Sequence, residues 1–245
     1  MSLPKIDSPR YSLYLKGIDK QIKFRPFTVK EQKILLLAKE EVKEDKNRII
    51  EAIKQIIELC TFDLGVSVDD LPLFDIEWLF LHIRAKAVSD VITIPVKYKF
   101  DSGNEKRTKL NISVSDIQLK EYEEHTNKIV LDEDTKIGVV MKYPTIKMYE
   151  ENLESLSSIE ACIDYVFDEN DIYYFKDSTH EERQDFVESF DLQMLRKVSS
   201  FFETMPKLYF KTEVTMKDDP DEQGNQEIKK LPIVLSGLND FFTYV

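Results

Sequence analysis

Residues 91–117 read VITIPVKYKFDSGNEKRTKLNISVSDI, and the spacing of their apolar side chains decides the fold class. Ile92, Ile94, Val96, Tyr98 and Phe100 alternate with Thr93, Pro95, Lys97 and Lys99, a period of two that turns one strand face to a core and the other to water. After DSGNEK (101–106) the chain returns with Leu110, Ile112 and Val114 on the inner face. A tip this short closes an antiparallel hairpin but cannot carry the crossover of about a dozen residues or more that parallel strands need. Pro95 has no N–H to donate, so its strand belongs on a sheet edge or at a bulge.

Outward from this stretch the same logic recurs. KLYFKTEVTMKDD (207–219) and IKKLPIVLSGL (228–238) make a second hairpin across the polar tip PDEQGNQE (220–227). Each hairpin follows a helical segment, DIEWLFLHIRAKAVSD (75–90) in one case and the pattern from Thr179 to Met205, containing DLQML (191–195), in the other. Leu110, Ile112, Val114, Ser115 and Ile117 fall in line with Leu231, Ile233, Leu235, Ser236 and Leu238. A duplicated helix-plus-hairpin unit accounts for this, and so do two generic amphipathic hairpins. Both readings give an α+β fold, a helical core with several antiparallel β-hairpins. The chain divides at 120/121, residues 1–120 holding the first unit and 121–245 the second, as two halves or one compact domain.

Before the first unit, YSLYLKG (11–17) and KQIKFRPF (20–27) form another hairpin about Gly17, Ile18 and Asp19. FRPFTVKEQKILLLAKE (24–40) then turns a strand into a helix. Pro26 disfavours helical backbone at Arg25, and Thr28 with Glu31 matches a capping box for a helix running to about Val42. Phe24 and Phe27 plug the core in one reading of this corner, and Arg25 with Phe27 contacts a partner in the other. A second helix spans Asp45 to Cys60, with Ile49, Ile53, Ile56 and Cys60 on one face. Asp75 caps a third, whose Ile76, Leu79, Phe80, Ile83 and Ala87 share a side that Trp78 and Arg84 leave. NKIVLDEDTKIGVVMKYPTI (127–146) supplies a further strand pair, and helical segments follow near Lys147 to Leu156 and Ile159 to Phe167.

Composition narrows the function classes. With 46 acidic and 34 basic residues in 245 and net charge -12, the chain opposes the phosphate-backbone attraction that drives general nucleic-acid binding. The start, MSLPKIDSPRYSL, has no apolar signal core, and no run of about 18 apolar residues occurs, so a cytoplasmic protein without a membrane span is expected. Cys60 and Cys162 are expected as buried, reduced thiols.

Catalytic signatures are missing. His82, His125 and His180 keep no metal-ligand spacing with one another or with a cysteine, and no phosphate-cradling glycine motif exists among six glycines. A calcium loop can be laid from Asp219 through Asp221, Gln223 and Gly224, but its twelfth position is Lys230 where a bidentate Glu is required. No cofactor and no metal is therefore expected. The terminal NDFFTYV concentrates Phe241, Phe242 and Tyr244 where the chain either docks on itself or offers aromatic anchors to another protein.

IKFRPFTVKEQKILLLAKE near the start, DIEWLFLHIRAKAVSD before a hairpin, and FFETMPKL with LSGLNDFF near the end resemble the baseplate hub assembly proteins of contractile-tailed, T-even-like bacteriophages. The resemblance covers most of the chain in order and rests on structural phrases. It implies a non-enzymatic tail morphogenesis protein, a baseplate hub subunit or an assembly chaperone for the hub. Its partners would be other phage tail or hub proteins, the tape-measure protein among them, with no nucleic acid and with self-association open. It would act in the host cytoplasm and, where retained, in the virion tail. The resemblance implies paired cysteines at the hairpin tips of some relatives, as in a small zinc ribbon; these tips have none. Two other readings remain: an enzyme with an acidic active site, with Asp164 and Asp168 as its carboxylates, and a phage effector that binds a host protein.

Overall fold

The computed structural model describes residues 6–41, 47–150, 155–220, 223–224 and 226–237. In chain order its strands and α-helices are β1 (Tyr11–Leu15), β2 (Lys20–Phe24), α1 (Val29–Glu41), α2 (Asn47–Cys60), β3 (Thr61–Phe62), α3 (Leu73–Ala87), β4 (Val91–Lys99), β5 (Glu105–Ser113), β6 (Gln118–Lys120), β7 (Lys128–Val130), β8 (Gly138–Met141), α4 (Ile146–Glu150), α5 (Ser155–Cys162), β9 (Ile163–Phe167), β10 (Ile172–Tyr174), α6 (His180–Glu188), α7 (Leu192–Thr204), β11 (Lys207–Lys217) and β12 (Ile228–Ser236). Every strand pairing is antiparallel. The fold is α+β.

Three cores organise these elements. In the first, the sheet β1-β2-β3 lays Leu15, Ile22 and Phe24 against Ile53, Ile56 and Ile57 of α2 and Ile76, Leu79, Phe80 and Ile83 of α3. The second places the sheet β10-β9-β8-β7 with α5 and α7, through Val139, Ile163, Cys162, Val198 and Phe201. The third closes hairpin β4–β5 and the sheet β12-β11-β6 around Leu81 and Ala85 of α3, with Ile92, Ile94, Ile112, Leu208 and Leu235 between them. Both hairpins thus join the core built on α3, while α7 contributes to the second core.

The alternation in 91–117 appears as expected: Ile92 pairs with Ile112 and Ile94 with Leu110 on the inner face. Among the described residues β4 has no partner but β5, so Pro95 lies on a sheet edge; Pro232 occupies the middle of β12, the outer strand of the other sheet. The tips meet at Asp218. Its carboxylate accepts from Ser102 Oγ at 2.5 Å and Asn104 Nδ2 at 3.0 Å, and Lys106 pairs with Asp219 at 2.6 Å.

Three expectations are corrected. Ile163–Phe167 is strand, not helix: its branched and aromatic run fills the inside of a four-stranded sheet, bonded to β8 and β10. Asp75 does not cap α3, whose N-cap is Pro72; it sits one turn inside, fully buried, and its Oδ2 accepts the Gly17 N–H at 2.8 Å across 58 residues. A Cβ at Gly17 would lie 2.7 Å from that oxygen, so the turn needs glycine. Nor is α3 buried on one side alone, because Ile76 packs into the first core while Leu81 and Ala85 pack into the third.

Candidate functional site

The corner at 24–31 is built from its own sequence signals. Arg25 N–H bonds Cys60 O at 2.8 Å, continuing the β2–β3 pairing, and Pro26 then turns the chain into α1. At the N-cap, Glu31 Oε2 accepts from Thr28 N–H and from Thr28 Oγ1, each at 2.7 Å. The carboxylate half of the capping box is formed, while the Thr28 hydroxyl faces that carboxylate and accepts only a long 3.3 Å contact from Lys30 N–H. Arg25 closes the corner: its Nη2 donates to Glu31 Oε1 and to Leu59 O, both at 3.0 Å, and Nη1 to Pro26 O at 3.0 Å. Burial pushes the Glu31 carboxyl up, but the Arg25 hydrogen bond, the two Thr28 bonds and the guanidinium charge outweigh it and hold the group down to about 2. Arg25 is thereby a clamp between β2, α1 and the end of α2, and Phe27 is buried in the first core.

That clamp fixes α1 with only a narrow inner side. Glu31 and Ala38 are buried and Ile34 and Leu35 half-buried, so at 100° per residue the opposite side holds Lys33 and Glu40 with Val29 and Leu36 beside them, and Leu37 stands on its flank. Val29, Leu36 and Leu37 are 68%, 55% and 59% exposed. The outer half of α1 thus shows three large apolar side chains interleaved with charged ones. The sequence showed a leucine run without telling which leucines face in, since Leu35, Leu36 and Leu37 span more than half a turn.

Other candidate residues scatter. Phe241, Phe242 and Tyr244 lie outside the described residues, as does Asp221 of the calcium-like loop. Asp219 there is committed to Lys106, and Lys230 pairs with Glu213 at 3.4 Å. Asp164 lines a cleft of about 430 Å³ with Lys142, Glu160, Lys176, His180 and Arg183. Asp168 instead organises the β9–β10 turn, accepting Asn170 and Asp171 N–H at 2.7 and 2.9 Å. The two carboxylates form no pair for acid–base work. In the cleft, Glu160 already takes Arg183 Nε at 3.0 Å and His180 Nδ1 at 3.2 Å.

His125 is bonded through both its ring nitrogens, a structural histidine rather than a free acid or base. Thr204 Oγ1 spends its proton on Ser200 O, so His125 Nδ1–H donates to Thr204 Oγ1 at 2.9 Å and Nε2 accepts from Tyr143 O–H at 3.0 Å. Burial first, then the charge of Lys16, hold this imidazole below its ordinary range. Burial likewise carries His82, packed edge-on to Trp78, to about 4. Both thiols are free and buried, Cys60 pushed up to about 11 and Cys162 to about 12 by burial, and neither is a nucleophile at neutral pH. Among the described residues no group of three His, Cys, Asp or Glu can hold a metal ion, and no helix is long and apolar enough to cross a membrane.

A family model described as T4 bacteriophage base plate protein matches residues 8–243. No curated protein and no solved structure matches the chain.

Proposed function

Because the chain belongs to the T4 bacteriophage base plate protein family, we propose that it works by protein–protein binding, as a subunit of the baseplate hub or as a factor that assembles it, and that it catalyses no reaction. The observation that carries this reading is the exposure of Val29, Leu36 and Leu37 together on the outer half of α1, a helix anchored by the Arg25–Glu31 clamp. Its partners are other tail proteins, met in the host cytoplasm and, for a hub subunit, kept in the virion tail. The terminal Phe241, Phe242 and Tyr244 are proposed as additional anchors, since aromatic side chains entering a pocket carry much of the energy of an interface. Arg25 is assigned to positioning α1, and Phe27 to seating it.

Co-expression with the tail proteins of the same phage, followed by size-exclusion chromatography with mass measurement, tests the reading. One stoichiometric complex is expected, lost in Leu36→Glu/Leu37→Glu with Tm unchanged and weakened in Phe241→Ala/Phe242→Ala. Failure of every tail protein to bind, with a host protein bound through the same residues of α1, would make the chain a host-directed effector instead.

A further inference from the structure

The outer face of hairpin β4–β5 gathers Lys97, Lys99, Arg107 and Lys109 against one carboxylate, Glu105, in a chain of net charge -12. The register sets Lys97 directly opposite Arg107 and leaves Lys109 opposite Pro95. Directly opposed like charges on a hairpin destabilise it. Glu105 bonds Arg107 at 2.7 Å, and its carboxyl is held below the ordinary range first by that bond and then by the charges of Arg107, Lys97 and Lys99, so it is already spent. Elsewhere on the face Thr93 Oγ1 donates to Asn111 Oδ1 at 2.8 Å, and Val91 is 42% exposed. The other hairpin differs, since Lys211 faces Val234, Lys217 faces Ile228, and Lys230 is paired with Glu213.

We propose that this face docks an acidic segment of a partner protein, one presenting carboxylates along a strand or helix to Lys97, Lys99, Arg107 and Lys109 beside a small apolar contact with Val91 and Pro95. Strand and ladder spacings of about 5–7 Å between these cations match carboxylates two residues apart on a strand or four apart on a helix. The approach is to the face, because Pro95 removes a donor from the free edge of β4 and weakens strand addition there. A protein occupant is favoured over nucleic acid because the acidic remainder of the molecule repels a long polyanion while tolerating a short acidic segment. The inference rests on the protein-binding reading but uses a surface other than α1.

The test is fluorescence anisotropy of the intact chain with a dye-labelled peptide of alternating Glu and Thr as long as β4, beside a single-stranded oligonucleotide of equal charge. The peptide is expected to bind, and more weakly as ionic strength rises. Lys97→Glu/Arg107→Glu should weaken it at least about tenfold, while Lys211→Glu/Lys217→Glu, with the same change of net charge, moves it less than about twofold. Lys97→Glu alone should raise Tm by pairing with Arg107 while still weakening binding, which a purely structural role would not do; Lys97→Gln/Arg107→Gln repeats the test without a charge reversal. No peptide binding, equal losses in the two double variants, or an oligonucleotide bound as tightly would each overturn the proposal. Leu36→Glu/Leu37→Glu that loses the tail partner but keeps the peptide separates failure at α1 from failure here.

Discussion

Glu31 and Asp75 are both buried carboxylates, and the balance of burial against hydrogen bonds and charge carries them in opposite directions. Glu31 is held at about 2, so its stability contribution is present above the ordinary carboxylate pKa and is lost as pH falls from there toward 2. Glu31→Gln should therefore cost on the order of 3 kcal/mol at neutral pH, shrinking toward zero near the lower limit, as denaturant melts at several pH values would read. Asp75 is carried up to about 6, by burial that the N–H groups of Gly17, Lys16 and Ile18 only partly offset. Its protonated form is the favoured one in the fold, so stability is highest below about 4 and falls as pH rises through 6. Asp75→Asn keeps an acceptor for Gly17 and should flatten that slope, leaving the variant at least as stable as the parent at pH 7; a steeper decline would contradict this. The Thr28-x-x-Glu31 signal was legible because capping is local. Arg25 reaching Leu59 O and Asp75 reaching Gly17 were not, because each spans a separation that only the tertiary fold closes.

At the scale of elements, period-two alternation with short polar tips identified the hairpins, and the register delivered the expected inner faces. β9 was misread because Ile159 to Phe167, mostly apolar with Glu160 and Asp164 four residues apart as on a helix face, crosses a helix end, and periodicity alone does not separate a short strand from a helix there. What no pattern showed is that the two tips are tied to each other. Asp218 is buried, and hydrogen bonds from Ser102, Asn104 and the Asp219 N–H hold its carboxyl below the ordinary range, with the Ser102 bond the largest influence. Asp218→Ala should lower Tm and speed amide exchange in both hairpins together, whereas Asp219→Ala, at an exposed pair, should leave the second hairpin's exchange unchanged. Shortening the second tip is tolerable only if Asp218 is retained.

For the whole molecule, the division at 120/121 runs through a core that both halves build, since Leu208 and Leu235 close over Ile92, Ile94 and Ile112. A further joint is Tyr143, edge-on to Phe74 of α3 at 5.0 Å and stacked on Phe201 of α7 at 5.5 Å. We propose that the chain unfolds in one cooperative transition, and that fragment 1–120 alone shows no cooperative melt by circular dichroism; a fragment melting as sharply as the full chain would make the halves independent. The closing of β11 and β12 over hairpin β4–β5 is also a matter of time. Ribosomes add residues at about 5–20 per second, so the inner face of β4–β5 waits on the order of ten seconds between its own synthesis and that of β12. During that interval Ile92, Ile94 and Ile112 are open to any sticky neighbour, and a message cut short before β11 leaves them so for good. Yield is therefore expected to depend on how quickly the codons for β11 and β12 follow those for β5, and slowing translation within 120–206 should send nascent chains to aggregates or chaperones.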